Sequence, residues 1–195
     1  GFAFKISAVP FHLWTADVYE GSPVAVTAFL SVVSKAAVLF TFTSILYKVF
    51  TPIATVWYGV LVVLSVATIL IGNLFAIRQD NFKRFLAFSS IAQVGFILIG
   101  ISGSSQAGSA SLVYFVLIYV FSNLAAFGVV SVVSALAGKE NISDFKGFYK
   151  TNPFLSWVLT IALFSLAGVP PTAGFFGKLF LMMAGAAKDN YGLII

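Results

Sequence analysis

The chain has 195 residues, of which 60% are hydrophobic and 9% charged, and its mean hydropathy is +1.04. A soluble domain carries about a quarter charged residues, so this composition indicates a protein solvated mainly by lipid. The net charge of +5 comes without a basic stripe interleaved with aromatic residues, which argues against nucleic acid as a partner. With no cysteine and one histidine, iron–sulfur, thiolate-metal and bis-histidine haem sites are excluded, and we expect no cofactor or metal in this chain.

The first apolar piece, residues 1–14, is too short to cross a bilayer and contains Lys5 and Pro10. No initiator or signal peptide precedes it, so we expect the end of a helix in a longer chain. A polar turn is predicted next, around Asp17, Glu20 and the Gly-Ser-Pro of residues 21–23. Its two carboxylates are expected to be exposed and to cap the following helix.

Five further segments predict membrane helices, because each offers about 20 or more apolar residues for about 30 Å of hydrocarbon. They cover residues 24–49, 53–77, 82–101, 109–137 and 153–187, and another span is predicted to begin at Tyr191. The segment 153–187 is overlong and contains Pro170 and Pro171, which predicts a broken helix. The expected fold class is an all-α, polytopic transmembrane helical bundle with proline-broken helices.

Basic residues are distributed unequally between alternating loops. One side collects Arg78, Lys83, Arg84, Lys139, Lys146 and Lys150, and the other has Lys48 and Lys188. Since basic loops stay on the side from which a membrane protein is inserted, the first side is predicted to face the cytoplasm or the mitochondrial matrix.

Three lysines, Lys5, Lys35 and Lys178, lie in apolar stretches and are candidates for proton transfer. A charge at membrane depth costs about 2.5–3.5 kcal/mol, and a lysine, unlike an arginine, can release its proton there. Lys35 lies about eleven residues into its span, and Lys5 and Lys178 each neighbour a proline break, as at the ion sites of inverted-repeat transporters. The alternatives are a packing role for Lys35, a snorkelling Lys178 and a loop position for Lys5.

Other polar residues could pass protons between these lysines. His12 follows Pro10, and its unperturbed pKa lies near neutrality, so it is a candidate relay, although a structural role is an equal alternative. A hydrated path is predicted along the spans 82–101 and 109–137, where the same groups could instead join helices by hydrogen bonds. These residues are Ser89, Ser90, Gln93, Tyr114, Tyr119, Ser122 and Asn123.

Several segments, in this order, resemble one family. They are FKISAVPFHLW at residues 4–14, DVYEGSP at 17–23, FLS and SK within 29–35, GNL at 72–74, KRFLAFSSI at 83–91, FSLAGVPP at 164–171 and GFFGK at 174–178. They are similar to the N-subunit family of NADH-quinone oxidoreductase, one of the antiporter-like membrane subunits of respiratory complex I. Gln93 stands where some of these relatives carry histidine, so a relay there must use water.

The resemblance implies a fold of two inverted five-helix repeats, with residues 1–49 ending the first and residues 53–195 forming most of the second. It makes Lys5 the lysine of the broken seventh helix, Lys35 the connecting lysine of the eighth and Lys178 the terminal lysine of the broken twelfth. The implied activity is proton translocation through these lysines, coupled to quinone reduction in other subunits.

The resemblance also implies partners and a location. NADH and quinone would be used by the whole complex, and other complex I membrane subunits would be partners in a hetero-oligomer within the bilayer. The details favour the bacterial plasma membrane, and otherwise the mitochondrial inner membrane. The alternatives are a subunit of an Mrp-type cation/proton antiporter or a membrane-bound hydrogenase, and a structural membrane subunit that does not pump.

Overall fold

The computed structural model describes residues 1–102 and 106–186, and this part of the chain is built from helices. In chain order the α-helices are α1 Phe2–Ile6, α2 Leu13–Gly21, α3 Val24–Phe29, α4 Lys35–Lys48, α5 Ala54–Ile77, α6 Phe82–Ser102, α7 Gln106–Ala137, α8 Phe148–Thr151, α9 Pro153–Ala167 and α10 Ala173–Ala186. Short 3-10 turns precede α5 and α8.

Four helical segments in the described ranges are long and apolar enough to cross a membrane: Val24–Lys48, Thr51–Ile77, Phe82–Ser102 and Gly108–Ala137. They confirm the four spans predicted between residues 24 and 137. The first is continuous, because a π-helical turn at Leu30–Ser34 joins α3 to α4. The span predicted to begin at Tyr191 lies outside the described residues.

Both predicted helix breaks are present. α1 ends at Ile6, Ser7 adopts a left-handed conformation with φ 66°, and α2 begins only after Pro10. α9 ends at Ala167, where Gly168 has φ 80°, and the Pro170-Pro171 pair precedes α10. Proline lacks the N–H that would continue a helix, which explains both interruptions. Val9–Pro10 and Pro170–Pro171 are cis peptide bonds.

The polar turn predicted around Asp17 and Glu20 is wrong. Both residues lie within α2, which continues to Gly21, and the chain turns only at the following Ser-Pro. Their carboxylates pair with Arg84 of α6 instead of capping α3. The reason is their spacing: residues three apart share one helix face, so a single partner on a neighbouring helix can bind both.

Helix α6 lies at the centre of the bundle. It packs against α2, α5, α7 and α10, and most of its residues are buried. The contact with α5 is close because Gly72 has no side chain: a Cβ there would lie 2.7 Å from the backbone nitrogen of Ala92. Small residues are typical of such membrane-helix interfaces, since they let the backbones approach. α6 is therefore held on several sides and can position side chains for its neighbours.

The turn between α5 and α6 lies beside the turn that follows α7. The backbone N–H of Phe82 donates to the carbonyl of Glu140 at 2.8 Å, and that of Ile142 donates to the carbonyl of Asp80 at 2.8 Å. An isolated antiparallel bridge joins Asn81 and Asn141. The basic loops around residues 78–84 and 139–150 thus begin side by side, as the charge pattern predicts, and the compartment that they face stays a prediction.

Candidate functional site

Lys35 occupies the centre of the candidate site. It begins α4 directly after the π-helical turn, and it is 1% exposed. Its Nζ donates a hydrogen bond to Ser90 Oγ of α6 at 2.8 Å and lies 5.6 Å from the centroid of the Tyr19 ring. The ion pairs formed by the described residues involve Lys83 and Arg84, not Lys35. The ammonium is therefore buried against a hydroxyl and an aromatic face, without a carboxylate from this part of the chain.

The hydroxyl groups of Ser31 and Tyr119 form a pair one helical turn before Lys35. Tyr119 of α7 donates its phenolic hydrogen to the carbonyl of Ser31 at 2.9 Å, and its oxygen lies 3.2 Å from Ser31 Oγ. Asn123 follows one turn later on α7, where its Nδ2 donates to the carbonyl of Tyr119 at 3.3 Å. Its buried Oδ1 has no hydrogen-bond partner among the described residues. These groups extend a polar interior from α4 to α7.

Lys178 of α10 is held by the break that separates α9 from α10. Its Nζ donates to the carbonyls of Leu166 at 2.8 Å and Ala167 at 3.0 Å, and it lies 4.5 Å from the centroid of the Phe96 ring. The last carbonyls of a helix have no partner within the helix and carry the negative end of its dipole. The proline break therefore supplies acceptors to a cation at this depth.

Gln93 of α6 links the Lys178 site to the interior. Its Nε2 donates to the carbonyl of Leu166 at 2.9 Å, so Gln93 and Lys178 share one acceptor. On one side of this pair lies a cavity of about 470 Å³, which Lys178, Ser89 and Asn73 help to line. A cavity of this size has room for several water molecules.

A much smaller gap of about 10 Å³ lies on the other side of Gln93, bounded also by Tyr119, Ser122 and Ser165. This is about the volume needed by one water molecule. Ser122 Oγ donates to Ser165 Oγ at 2.8 Å, which connects α7 to α9. Polar groups thus continue from the surroundings of Lys35, through Tyr119 and Gln93, to Lys178.

The structure does not bring all of the predicted residues together. Tyr114 is 38% exposed, and its ring packs against Phe180 at 5.5 Å, away from the polar interior. Lys5 is exposed on α1 beside Val38. His12 precedes α2 and is buried, with its Nδ1 unpaired among the described residues. A relay role for Lys5 and His12 therefore stays a prediction.

Sequence reasoning missed Tyr19 and Ser165. Tyr19 is fully buried and lies beneath the ammonium of Lys35. A signal was present: Thr15, Ala16 and Tyr19 follow the helical i, i+1, i+4 spacing, and all three are buried. The assignment of residues 17–23 to a turn concealed this periodicity. Within the described ranges no group of three or more histidine, cysteine or acidic residues could hold a metal ion.

Comparison with known proteins identifies the family of this chain. The family model for the transmembrane region of NADH:quinone oxidoreductase and Mrp antiporter subunits matches residues 1–195. The chain belongs to this family. It is 54% identical over 195 residues to "NADH-quinone oxidoreductase subunit N" of Azobacteroides pseudotrichonymphae genomovar. CFP2. That match covers 100% of this chain and 41% of the relative, so the chain spans about two fifths of the relative's length.

Solved structures of the family have the same fold. A chain of the respiratory complex I from Thermus thermophilus with bound aureothin aligns with a TM-score of 0.82 at 32% identity, over 100% of this chain and 42% of that one. A chain of the Mrp complex from Dietzia sp. DQ12-45-1b aligns with a TM-score of 0.90 at 27% identity, over 98% and 36%. The antiporter-like membrane fold predicted from the sequence is thereby confirmed.

Proposed function

We propose that this chain is part of a proton-translocating membrane subunit of NADH:quinone oxidoreductase, in which buried lysines pass protons while other subunits reduce quinone. The observation that carries the proposal is Lys35 of α4, fully buried with Ser90 of α6 as its hydrogen-bond partner and the Tyr19 ring of α2 beside it. A charge in such a place is costly, so a residue that can lose its proton reversibly fits it better than a permanent ion.

Lys178 is proposed as the next proton carrier. Its ammonium shares the Leu166 carbonyl with Gln93, and the adjoining cavity has room for water. Ser89, Ser90, Gln93, Tyr119, Ser122 and Asn123 are the groups proposed to order this water. Electrostatics would couple the steps, because a proton on one lysine disfavours a proton on its neighbour. Lys5 and His12 would extend the route on the α1 side.

The wider assignments follow from the relatives. We infer that NADH and quinone serve the whole complex, and that its other membrane subunits surround this chain in a hetero-oligomer. The relative of 54% identity is bacterial, which favours the bacterial plasma membrane over the mitochondrial inner membrane. The division into inverted repeats at residues 1–49 and 53–195 belongs to the same proposal.

Replacement of Lys35 by alanine tests the function. The variant is made in the complete subunit, and proton pumping and NADH-driven quinone reduction are measured in membrane vesicles and normalised to assembled complex. We expect both rates to fall at least about tenfold, since proton transfer by a positioned side chain contributes that much or more. Lys139→Ala, at an exposed lysine just after α7, is the matched control and should pump normally.

The same measurement separates the alternatives. A structural subunit that does not pump predicts that Lys35→Ala changes the amount of assembled complex but not pumping per complex. An Mrp-type antiporter predicts cation/proton exchange without quinone reduction. It is retained as an alternative because the Mrp chain has the same fold. Normal pumping by well-assembled Lys35→Ala complexes would overturn the proposal.

A further inference from the structure

Tyr19 provides an aromatic face to the buried ammonium of Lys35. The side chain is 0% exposed, and its ring centroid lies 5.6 Å from Lys35 Nζ. Phe127 of α7 packs against the same ring with centroids 6.4 Å apart. A cation within about 6 Å of a ring face is attracted by the ring quadrupole, and the attraction grows when both partners are removed from water. The ring therefore offers the ammonium an electrostatic contact that an aliphatic side chain would not.

The phenolic hydroxyl does not explain why Tyr19 lies there. Its buried oxygen has no hydrogen-bond partner among the described residues, although the hydroxyls of Ser31 and Ser90 are polar neighbours. Buried hydroxyls without a partner are unfavourable and uncommon. Within the described residues no hydrogen bond of the hydroxyl fixes the ring, so its place depends on how α2 is held by its neighbours.

Arg84 of α6 holds α2 from the outer side. One terminal nitrogen of its guanidinium lies 2.7 Å from Asp17 Oδ1 and 2.7 Å from Glu20 Oε2, and its Nε donates to Gln79 Oε1 at 3.1 Å. The Asp17 carboxylate is exposed and that of Glu20 is half-exposed, on the outer face of α2. A charge-assisted contact with two acceptors fixes geometry better than a single exposed ion pair.

The break before α2 makes this anchor important. α2 has nine residues and is separated from α1 by the Pro10 segment, so no continuous helix fixes its position from that side. α6 binds Lys35 through Ser90 and binds α2 through Arg84. One helix thus sets both the ammonium and the ring that faces it.

We propose that Tyr19 is a positioning residue for Lys35, acting through its ring rather than its hydroxyl, and that Arg84 keeps α2 where the ring meets the ammonium. The proposal rests on the proposed role of Lys35 in proton transfer. It assigns to the Asp17–Arg84–Glu20 cluster an effect on proton pumping at a distance from the lysine itself.

The first experiment compares Tyr19→Phe with Tyr19→Leu in the complete subunit within assembled complexes. Pumping per complex is measured in vesicles with NADH and a quinone. Tyr19→Leu should lower it about threefold to tenfold, and Tyr19→Phe, which keeps the ring, should restore it to near the parent rate. Tyr149→Leu, at an exposed tyrosine of α8, is the control and should pump normally. If Tyr19→Leu does not assemble, Tyr19→Met replaces it, since the flexible methionine side chain fills irregular core space more readily.

The second experiment tests the anchor. Arg84→Gln should also lower pumping. The double variant Arg84→Gln/Tyr19→Leu should pump no more slowly than Tyr19→Leu alone, because both changes remove the same contact between the ring and Lys35. Arg78→Gln, an exposed arginine near the same end, is the charge-matched control.

Three outcomes would overturn the inference. They are equal loss in Tyr19→Phe and Tyr19→Leu, normal pumping in Tyr19→Leu, and multiplicative losses in the double variant. Measuring Lys35→Ala in parallel distinguishes failure of the proposed function from failure of the positioning role. Normal pumping by Lys35→Ala rejects the function itself, whereas loss there with normal Tyr19→Leu rejects the positioning role alone.

Discussion

Lys35, which is buried, and Lys178, which is partly buried, are held among apolar helices by different means. Lys35 donates to a side-chain hydroxyl, Ser90 Oγ, and faces the Tyr19 ring, whereas Lys178 donates to two backbone carbonyls released by a helix break. A hydroxyl can rotate and either donate or accept, while a carbonyl only accepts. Ser90 Oγ donates its own hydrogen to the carbonyl of Ala87 at 2.7 Å, so it accepts from Lys35 while bonded to its own helix.

Ser90→Ala tests whether Lys35 depends on the Ser90 hydroxyl. It removes the acceptor of Lys35 Nζ, and leaving a buried polar group without its partner costs about 1–3 kcal/mol. We expect a lower melting temperature of the detergent-solubilised complex and slower pumping per complex. Ser90→Thr keeps the hydroxyl and should retain most of both, and Ser143→Ala, at an exposed serine, should change neither. Unchanged pumping in Ser90→Ala would show that the hydroxyl does not serve Lys35.

At the scale of elements, the broken pair α9 and α10 depends on one close approach. A Cβ at Gly174 would collide with the carbonyl oxygen of Ser165 and lie 3.0 Å from its Oγ. Glycine at this position lets the first turn of α10 pack directly on the last turn of α9. That packing places Lys178 at the carbonyls of Leu166 and Ala167.

Gly174→Ala is therefore expected to destabilise the subunit by about 3 kcal/mol or more, because the added carbon meets backbone that cannot move aside. Gly128→Ala is the matched control: nothing lies within 4 Å of a Cβ at Gly128 on α7, so it should be neutral or slightly stabilising. Assembled complex in the membrane and its thermal unfolding measure the difference. Equal behaviour of the two variants would contradict the close packing.

At the scale of the whole molecule, charged side chains tie helices from distant parts of the sequence together at one end. Lys83 Nζ lies 3.0 Å from Glu140 Oε2 and 3.5 Å from the carbonyl of Ser22, beside the Arg84 cluster. Burial alone would raise the pKa of Glu140. Hydrogen bonds from Lys83 and Ser134, with the charge of Lys83, outweigh it, so the pKa lies below its usual value.

A lowered carboxyl pKa gives stability a defined pH dependence. Glu140 contributes its full stabilisation at pH values above the pKa that it has in the unfolded chain. This stabilisation is lost as the pH falls through the lower pKa of the folded state. Because Glu140 is partly exposed, the effect should be below about 1 kcal/mol. Thermal unfolding of the solubilised complex from pH 7 to pH 3 should show a smaller acid-induced loss in Glu140→Gln than in the parent. The same slope in both would mean that this ion pair does not stabilise the fold.

Much of the architecture could be read from the order of residues alone. Lipid requires runs of about 20 apolar residues in which the backbone bonds to itself, so hydropathy locates the spans and proline locates the breaks. The depth of Lys35 follows from its place within an unbroken run. The role of α2 could not be read in the same way, because its polar outer face resembles a turn in a linear reading.

The contacts that make a site depend on how the helices rotate and pack against one another. Lys35 and Ser90 are 55 residues apart, Gln93 and Leu166 are 73 apart, and Arg84 and Asp17 are 67 apart. Hydropathy gives the depth of a side chain but not the direction in which its helix face points. The contact of Tyr19 with Lys35 therefore becomes visible only in the tertiary structure. The same holds for the carbonyl that Gln93 and Lys178 share.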